Sequence, residues 1–379
     1  MDGSDYRNKR PVVKLATAGH HPLDTRIFHK EAKTLVQHGH AVTLVVPRPD
    51  EDPVEEVVEA VRIVSVPYPR HGGIKLLVTP LLILKKALQE PSESIIHIHD
   101  SELLGIGLVL RAIGRTVIYD AHEDTPLQIR YQHWIPRRIK PFYASFYYWL
   151  EKLVGKSFQQ IIVAEPIIER YFPAHKTTLV RNFPMKAPFY QRAQRSEGMR
   201  RENQAVYIGS ITQVRGIHEM LKAIALARQS VDITLLLAGR FHPEALKSSV
   251  EGQTGVNYIG WVGLKELVEI NFRSKIGIIV PHPVERYRTN LPVKVFEYMA
   301  AGMPVILSET SEAAQYVREC EGGILVDPLD PAQIAQAIVE LCQQEEKAQA
   351  MGQRGQQLIF EKYNWEQESQ KLLAVYARL

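Results

Sequence analysis

Residues 291–306 read LPVKVFEYMAAGMPVI and contain the signals of a helix and of the strand that follows it. The first proline suits the opening turn of a helix, and the glycine suits the residue that ends one. Thr289 and Asn290 stand just before this run as available N-caps. The sequence therefore predicts a helix over 293–301 and then a strand over 305–307, which is the repeating unit of a parallel sheet.

The same alternation of short apolar runs with helical patterns extends in both directions along the chain and is typical of α/β folds. We expect strands at residues 12–16, 41–46, 61–66, 95–99, 116–119, 161–164, 177–180, 205–208, 233–238, 256–258, 276–280, 305–307 and 324–326. The alternation lapses between residues 182 and 203, where prolines and charged residues indicate a linker. The chain thus predicts two successive doubly wound α/β units.

Composition narrows the class of protein. A chain of 379 residues with 45% apolar residues suits two globular domains, and a net charge of +4 without a nucleic-acid-binding motif does not point to DNA or RNA. Two cysteines fit a reducing compartment. The best apolar run, residues 76–84, is too short to span a bilayer, and the acidic start of the chain lacks a secretory signal. We expect a cytoplasmic protein, at most peripheral on the inner face of the membrane.

Two predicted strand-to-helix turns carry residues that suit a phosphate. Residues 207–216 read YIGSITQVRG, in which Gly209 lets a ligand approach the backbone and Arg215 stands at the start of the next helix. The other turn supplies Lys294, with Glu297 about one helical turn further in. Helix N-termini and cationic side chains both favour phosphate oxygens. The alternative is that Arg215 is an ordinary surface residue. However, a cation at a helix start is mildly unfavourable, which favours a phosphate partner.

With these residues the chain resembles the family-4 retaining glycosyltransferases of the GT-B fold, the group 1 glycosyltransferases. Residues 291–306 are similar to the donor-site motif of the family, and residues 209–216 to its phosphate turn. Further similar segments lie at 24–28, 39–44, 97–100, 119–123 and 364–366. The resemblance covers nearly the whole chain.

The resemblance implies an α/β architecture of two Rossmann-like domains that face each other across a cleft. It assigns residues 1–183 to an acceptor-side domain, onto which helix 364–379 packs back, and residues 184–363 to a domain that binds the nucleotide-sugar donor. It implies that Glu297 binds the ribose and Arg215 the diphosphate, and that the anomeric configuration is retained. The implied donor-binding residues are Gly209, Ser210, Arg215, Gly216, Asn290, Leu291, Val293, Lys294 and Glu297.

Two positions depart from the pattern of the family. Ser210 stands where the family usually has an arginine after the first glycine. Thr289 stands where the family has an acid eight residues before Glu297, and Glu285 is not in register to replace it. We expect activity with an altered donor preference.

His122 follows the strand predicted at 116–119, at the carboxyl end where open α/β sheets place ligands. We predict that it hydrogen-bonds the transferred sugar, and we group it with Arg215 and Glu297 as catalytic. The acceptor-side candidates are Asp24, Arg26, His99 and Glu123.

Each acceptor-side candidate has a structural alternative. Asp24 is placed to cap the helix that begins near Arg26, and Glu123 to cap its loop. We expect His97 and His99 to face opposite sides of their strand, in which case one of them is a core histidine.

Metal and cofactor signals are weak. Asp50-Glu51-Asp52 has the spacing of a metal-binding triplet but lies in an acidic loop, so a solvated loop is the better interpretation. Residues 17–22 lack the glycine pattern of dinucleotide-binding dehydrogenases. We predict neither a metal nor a resident cofactor, with the nucleotide sugar as co-substrate.

Residues 130–149 are basic and rich in aromatics. Between Thr125 and Lys156 there are six lysines or arginines and one acid, Glu151. An interfacial helix that contacts a membrane has this composition. A helix pair whose aromatics pack into its own domain is the alternative.

The function that we predict is transfer of a sugar from a nucleoside-diphosphate sugar to a glycan, a lipid-linked or a small-molecule acceptor, as in polysaccharide or glycoconjugate synthesis. A 2-epimerase or hydrolase of the same fold would release its product without an acceptor. A non-catalytic binding protein would hold the donor without turnover.

Overall fold

The chain forms two compact units in this computed structural model, which describes residues 11–15, 21–49, 55–68, 74–131, 135–195 and 200–379. Unit 1 comprises Met1–Asn182 and Glu368–Leu379, and unit 2 comprises Phe183–Gln367. The acidic triplet at 50–52 and most of the turn at 17–22 lie outside the described residues.

The described strands of unit 1 form one sheet. They are β1 Val12–Leu15, β2 Val42–Pro49, β3 Glu55–Val58, β4 Val61–Tyr68, β5 Ile95–Ile98, β6 Thr116–Ala121, β7 Gln160–Val163 and β8 Thr177–Leu179. Their order is β3-β4-β2-β1-β5-β6-β7-β8. Val12 of β1 pairs in parallel with Val42 on one side and Ile95 on the other, so the winding direction of the sheet reverses between β1 and β5.

The helices of unit 1 connect these parallel strands. They are a π-helix at Thr25–Ala32, then α1 Lys33–Gln37, α2 Ile74–Gln89, α3 Leu104–Ala112, α4 Thr125–Tyr131, α5 Lys140–Ser157 and α6 Pro166–Glu169, with short 3₁₀ turns at Ser101–Leu103 and Ala174–Lys176. The sequence predicts a single helix at the first of these positions, and the structure divides it into a π-helical and an α-helical part.

Unit 2 has a second sheet, parallel throughout its described strands. They are β9 Glu202–Ile208, β10 Thr234–Ala238, β11 Val256–Tyr258, β12 Ser274–Ile279, β13 Val305–Ser308 and β14 Gly323–Val326, in the order β11-β10-β9-β12-β13-β14. Alternate residues of β9 enter different cores: Ala205 and Tyr207 pack in one, Val206 and Ile208 in the other. Both faces of the sheet are therefore covered, as parallel sheets require.

The helices of unit 2 supply these two cores. They are α7 Lys186–Gln194, α8 Ile217–Ala227, α9 Leu264–Arg273, α10 Glu285–Thr289, α11 Val293–Ala300, α12 Ala314–Cys320, α13 Pro331–Gln343 and α14 Glu345–Glu361, with 3₁₀ turns at Gln213–Arg215 and Glu244–Ser249. The last helix, α15 Trp365–Tyr376, begins in unit 2 and continues into unit 1.

Parallel α/β architecture is confirmed, and every predicted strand is present. The sequence missed β3, an acidic edge strand that pairs antiparallel with β4. The predicted linker over 182–203 begins at the boundary between the two units, but most of it belongs to unit 2, because α7 forms there and buries Phe189 in the core of that unit. Pro188 is compatible with this helix because it stands in its first turn.

Candidate functional site

The glycine turn after β9 lies where the winding of the unit 2 sheet reverses, between β9 and β12, and open α/β sheets bind ligands at such switch points. Gly209 has a φ of +144° and Gly216 a φ of +82°, backbone conformations that residues with a Cβ rarely adopt. A Cβ on Gly216 would collide with the carbonyl oxygen of Val280, just beyond β12. The local backbone thus requires glycine at both positions. The missing side chain of Gly209 leaves space beside its Cα for another group.

Lys294 fills part of that room. It stands in the first turn of α11, and a Cβ on Gly209 would lie 2.9 Å from its Nζ and closer still to its Cε. The predicted caps of this helix are wrong: Pro292 occupies the N-cap position with no side-chain cap, and the Thr289 hydroxyl donates to the Glu285 carbonyl within α10 at 3.2 Å. The first amides of α11 therefore have no side-chain cap to occupy them.

Arg215 ends the 3₁₀ turn that follows Gly209. Its backbone N–H donates to the Thr212 hydroxyl at 3.2 Å, which fixes the turn. Its guanidinium donates to the Tyr287 hydroxyl at 3.2 Å and lies 5.7 Å from the centre of that ring. Tyr287 thus orients the side chain without neutralising its charge.

The electrostatics of this turn favour an anion. Burial is the main cause that lowers the pKa of Lys294 to about 8, repulsion by Arg215 lowers it further, and Glu297 opposes the shift. In the described part of the chain no carboxylate forms an ion pair with Lys294 or Arg215. Two neighbouring cations without a paired acid suit a ligand that carries negative charge.

Tyr298 anchors the helix that carries Lys294 and Glu297. Its hydroxyl accepts a hydrogen bond from the Ile208 N–H at 2.9 Å, and its ring packs where a Cβ on Gly277 would lie within 2.6 Å of the ring carbons. Glu297, only 8% exposed, lies on the same helix about one turn beyond Lys294. The sequence reasoning missed Tyr298, because an aromatic residue inside an apolar helix carries no signal of a polar contact with a strand.

The other predicted donor-site residues lie around the same two turns. Ser210 follows Gly209, and its carbonyl accepts from the Tyr207 hydroxyl at 2.8 Å. Asn290 ends α10, and Leu291 and Val293 lead into α11. The structure therefore brings the predicted donor-binding residues together in unit 2.

In unit 1 the carboxyl ends of β1, β5 and β6 meet in a buried polar network. Arg26 donates to both oxygens of Asp120, at 2.8 and 2.9 Å, and to the Val180 carbonyl. The Lys14 ammonium donates to Glu31 at 2.7 Å. Burial alone would raise the pKa of Asp120, but Arg26 outweighs burial and lowers that pKa to about 2.

Two histidines complete this network. The prediction that His97 and His99 face opposite sides is wrong: residues two apart share a face of a strand, and the rings stack with centroids 4.3 Å apart. His97 Nδ1 lies 3.2 Å from Lys14 Nζ and 2.6 Å from the Tyr376 hydroxyl of α15. Burial, and next the charge of Lys14, hold the pKa of His97 well below its usual range, so its ring is neutral.

This network also has the composition of a metal site, which the sequence did not predict. Single ligand atoms of Glu31, His97, His99 and Asp120 lie within 4.8 Å of one another, and all four residues are buried. However, Lys14 and Arg26 already bind the two carboxylates. The residues therefore fit an ion-pair network better than a cation site, and metal independence stays a prediction.

The acceptor-side candidates divide between this network and the surface. Arg26 and His99 are buried in the network, where Arg26 pairs with Asp120 and His99 is a core histidine. Asp24 caps the π-helix by accepting from the Arg26 and Ile27 N–H groups, as that alternative predicts. Glu123 is exposed and accepts from Gln128, and His122 is partly exposed directly after β6.

Family comparisons agree with this division of the chain. The family described as Glycosyl transferases group 1 matches residues 202–344, and the Glycosyl transferase 4-like domain matches residues 25–182. The chain belongs to the group 1 glycosyltransferases.

Relatives of this glycosyltransferase are distant. The chain spans about half the length of two curated relatives, one of which is spore coat protein SA of Bacillus subtilis strain 168, 23% identical over 48% of this chain and 51% of the relative. Phosphatidyl-myo-inositol mannosyltransferase of Mycobacterium leprae strain TN is 22% identical over 91% of this chain and 90% of its own. Sucrose-phosphate synthase of Thermosynechococcus elongatus has a TM-score of 0.76 at 17% identity, over 98% of this chain and 99% of its own, which shows the GT-B fold.

Most of the aromatic residues at 130–149 lie on α5 of this glycosyltransferase, whereas of the basic ones only Lys140 does. Four apolar side chains of this helix are more than half exposed: Phe142, Phe146, Trp149 and Leu153. Tyr147 of the same helix is buried. Among the described helices, none combines the length and the apolar character that crossing a bilayer demands.

Proposed function

We propose that this glycosyltransferase moves a sugar from a nucleoside-diphosphate sugar, bound by unit 2, to a glycan, a lipid-linked or a small-molecule acceptor. We further propose that the anomeric configuration is retained and that no metal takes part. The relatives named above carry the names of a mannosyltransferase and of a sucrose-phosphate synthase, which agrees with sugar transfer as the reaction class.

One observation carries the proposal: Lys294 and Arg215 stand beside the Gly209 turn at a switch point, and no described carboxylate pairs with them. Glu297 attracts Lys294 from beyond ion-pair distance and offsets at most one of the two positive charges, so a diphosphate supplies the remaining negative charge. The amides of Val293 and Lys294 at the start of α11, which has no side-chain cap, are placed to add hydrogen bonds to it. Because the pKa of Lys294 is about 8, part of this amine is unprotonated near that pH. A bound anion stabilises the ammonium and thereby favours full protonation.

The same groups are suited to the chemical step. When the glycosidic bond breaks, negative charge grows on the departing diphosphate, and fixed cations stabilise that charge most in the transition state. Removal of one such donor typically lowers turnover by about 10²–10³. The cations thereby take the part that a metal ion plays at other diphosphate sites.

Glu297 is assigned to the ribose. It is 8% exposed on α11, one turn from Lys294, and a carboxylate there accepts hydrogen bonds from two neighbouring hydroxyls. His122, partly exposed at the end of β6, is assigned to the transferred sugar. Thr289 offers only a hydroxyl where the family has an acid, so the contacts to the sugar differ from those of its relatives.

Thermal denaturation with UDP, GDP, ADP and dTDP tests donor binding, because a ligand that binds only the folded protein raises its melting temperature. We expect at least one nucleotide to raise the melting temperature of the wild type and not of Arg215→Ala. Arg318→Ala is the matched control, since Arg318 is exposed on α12 of the same unit. Equal shifts in both variants would place the nucleotide elsewhere.

Product analysis then separates the alternatives. Release of free or epimerised sugar at full rate without an acceptor would identify a hydrolase or epimerase. Nucleotide binding without turnover across a broad acceptor panel would identify a binding protein.

A further inference from the structure

Unit 1 contains a basic cavity that neither the donor site nor the buried network uses. It has a volume of about 870 Å³ and lies among α4, α5 and the residues after α6. Its cationic lining residues are Arg130, Arg137, Lys140 and Arg170, and the described lining includes no acid. This basic cavity is large enough for a phosphorylated headgroup.

The charges of the basic cavity are mostly unpaired. Asp124 accepts from Arg170 at 2.9 Å and also from the Tyr171 hydroxyl, so that arginine is held in place and partly neutralised. In contrast, Arg130, Arg137 and Lys140 form no ion pair with a described carboxylate, and Lys140 donates to a neutral group, the Arg130 carbonyl, at 3.1 Å. Three cations that share a cavity without counter-charges favour an anion.

An apolar stripe lies beside the basic cavity on α5. It consists of Phe142, Phe146, Trp149 and Leu153, which are 78%, 58%, 67% and 51% exposed. Their spacing of four, three and four residues places them on one face of the helix. Ser145 and Tyr148, which line the basic cavity, lie about a quarter turn around the same helix.

The adjacency of these two features indicates what covers them. Trp prefers the depth of lipid headgroups because its ring is apolar and its N–H stays in a polar environment, and exposed Phe and Leu on the same helix face gain from burial beneath it. Cations beside them attract a negatively charged leaflet. A soluble protein partner would need an acidic and apolar surface of matching shape, whereas an anionic bilayer presents both properties everywhere.

We propose that α5 docks on an anionic lipid bilayer, with the apolar stripe inserted at headgroup depth and a lipid phosphate bound in the basic cavity. The docking does not depend on the transfer reaction. It would place the enzyme on the surface where a lipid-borne acceptor is found.

Vesicle flotation of the full chain tests this proposal. The probes are vesicles of phosphatidylcholine alone and of equal parts phosphatidylcholine and phosphatidylglycerol. We expect binding to the mixed vesicles that weakens as salt is added, and much weaker binding to the neutral ones.

Two double variants separate the parts of the surface. Each cation near an anionic surface contributes roughly fivefold to binding, so Arg137→Gln with Lys140→Gln should weaken it about thirtyfold. Phe146→Ser with Trp149→Ser should abolish binding that survives high salt. The matched controls, Lys222→Gln with Lys265→Gln and Trp261→Ser, remove exposed residues of unit 2 and should bind as the wild type does.

The outcomes are unambiguous. Absence of binding to the mixed vesicles, or equal binding by both double variants and the wild type, would overturn the proposal. Binding that the unit 2 controls lose equally would show general charge attraction instead, which also overturns it. The substituted residues are exposed, except for Lys140, which is partly exposed. Unchanged melting temperatures and nucleotide-induced shifts would show that the fold and the donor site remain intact.

Discussion

Both units bring cations to the carboxyl ends of their strands near a switch point, but the two groups of cations differ in their partners. In unit 1, Lys14 and Arg26 are buried and bound to Glu31 and Asp120. In unit 2, Lys294 and Arg215 are partly exposed beside a glycine turn, without a carboxylate partner in the described chain. Pairing of charges, rather than their position in the fold, distinguishes a structural network from a ligand site.

Asp120→Ala should have the largest effect, and it should be on stability. It removes the carboxylate that accepts two hydrogen bonds from the buried Arg26 guanidinium and leaves Glu31, 3.1 Å from Arg26 Nε, as its remaining described partner. We therefore expect a cost near the lower end of the roughly 3–5 kcal/mol that breaking a buried pair carries. The free energy of unfolding from denaturant titration measures the loss. Asp24→Ala removes a helix cap and a weaker attraction to Arg26; it is the control and should cost about 1 kcal/mol. Similar losses for both would mean that the ion pair contributes no more than the cap.

Arg215→Ala, in contrast to Asp120→Ala, should lower activity and leave stability almost unchanged. We expect turnover to fall by about 10²–10³, with the melting temperature almost unchanged, because no described carboxylate loses a partner. Steady-state kinetics and thermal denaturation of the same preparations measure both quantities. A marked drop in melting temperature with normal turnover would show that Arg215 stabilises the fold and does not bind the donor.

The pH dependence of donor binding sharpens the contrast. Because the pKa of Lys294 is about 8, the KM for the donor should be constant below that pH and rise by up to tenfold per pH unit above it. The folded-state pKa lies below the ordinary value of 10.5, so this group makes folding more favourable as pH rises, and unfolding does not explain the loss. In Lys294→Arg the rise should move to higher pH, since arginine stays charged.

Removal of two tyrosine hydroxyls should have the smallest effects, and the two substitutions are closely matched. Tyr298→Phe leaves the buried Ile208 N–H without its acceptor, at a cost of about 1–3 kcal/mol, and should also raise the KM for the donor because α11 loses its anchor. Tyr376→Phe leaves His97 with Lys14 as a neighbour and should cost about 1 kcal/mol or less, with no change in KM. If both substitutions changed the KM by the same amount, the Tyr298 hydroxyl would have no specific effect on the donor site.

The sequence predicted those features that depend on neighbouring residues. Gly209, Arg215, Lys294 and Glu297 lie in two short turns whose glycine and helix-start signals are local, and the structure brings them together. Parallel strands were likewise evident from their apolar runs.

Features that depend on distant pairs were not predicted. Arg26 and Asp120 are 94 residues apart, and nothing near either one indicates the ion pair. The antiparallel edge strand β3 is acidic and half exposed, so it lacks an apolar signature. The burial of Phe189 depends on α9, far along the chain, which is why its helix was taken for a linker.

The position of α15 in the chain has a consequence for biosynthesis. Glu368 accepts from the Arg181 N–H at 2.9 Å, and Tyr376 contacts His97, so unit 1 includes residues that the ribosome adds after those of unit 2. Unit 2 is complete once Gln367 has emerged, whereas a nascent chain that ends at Asn182 still lacks part of its own domain. Unit 1, whose main segment is translated before unit 2, is therefore completed after it.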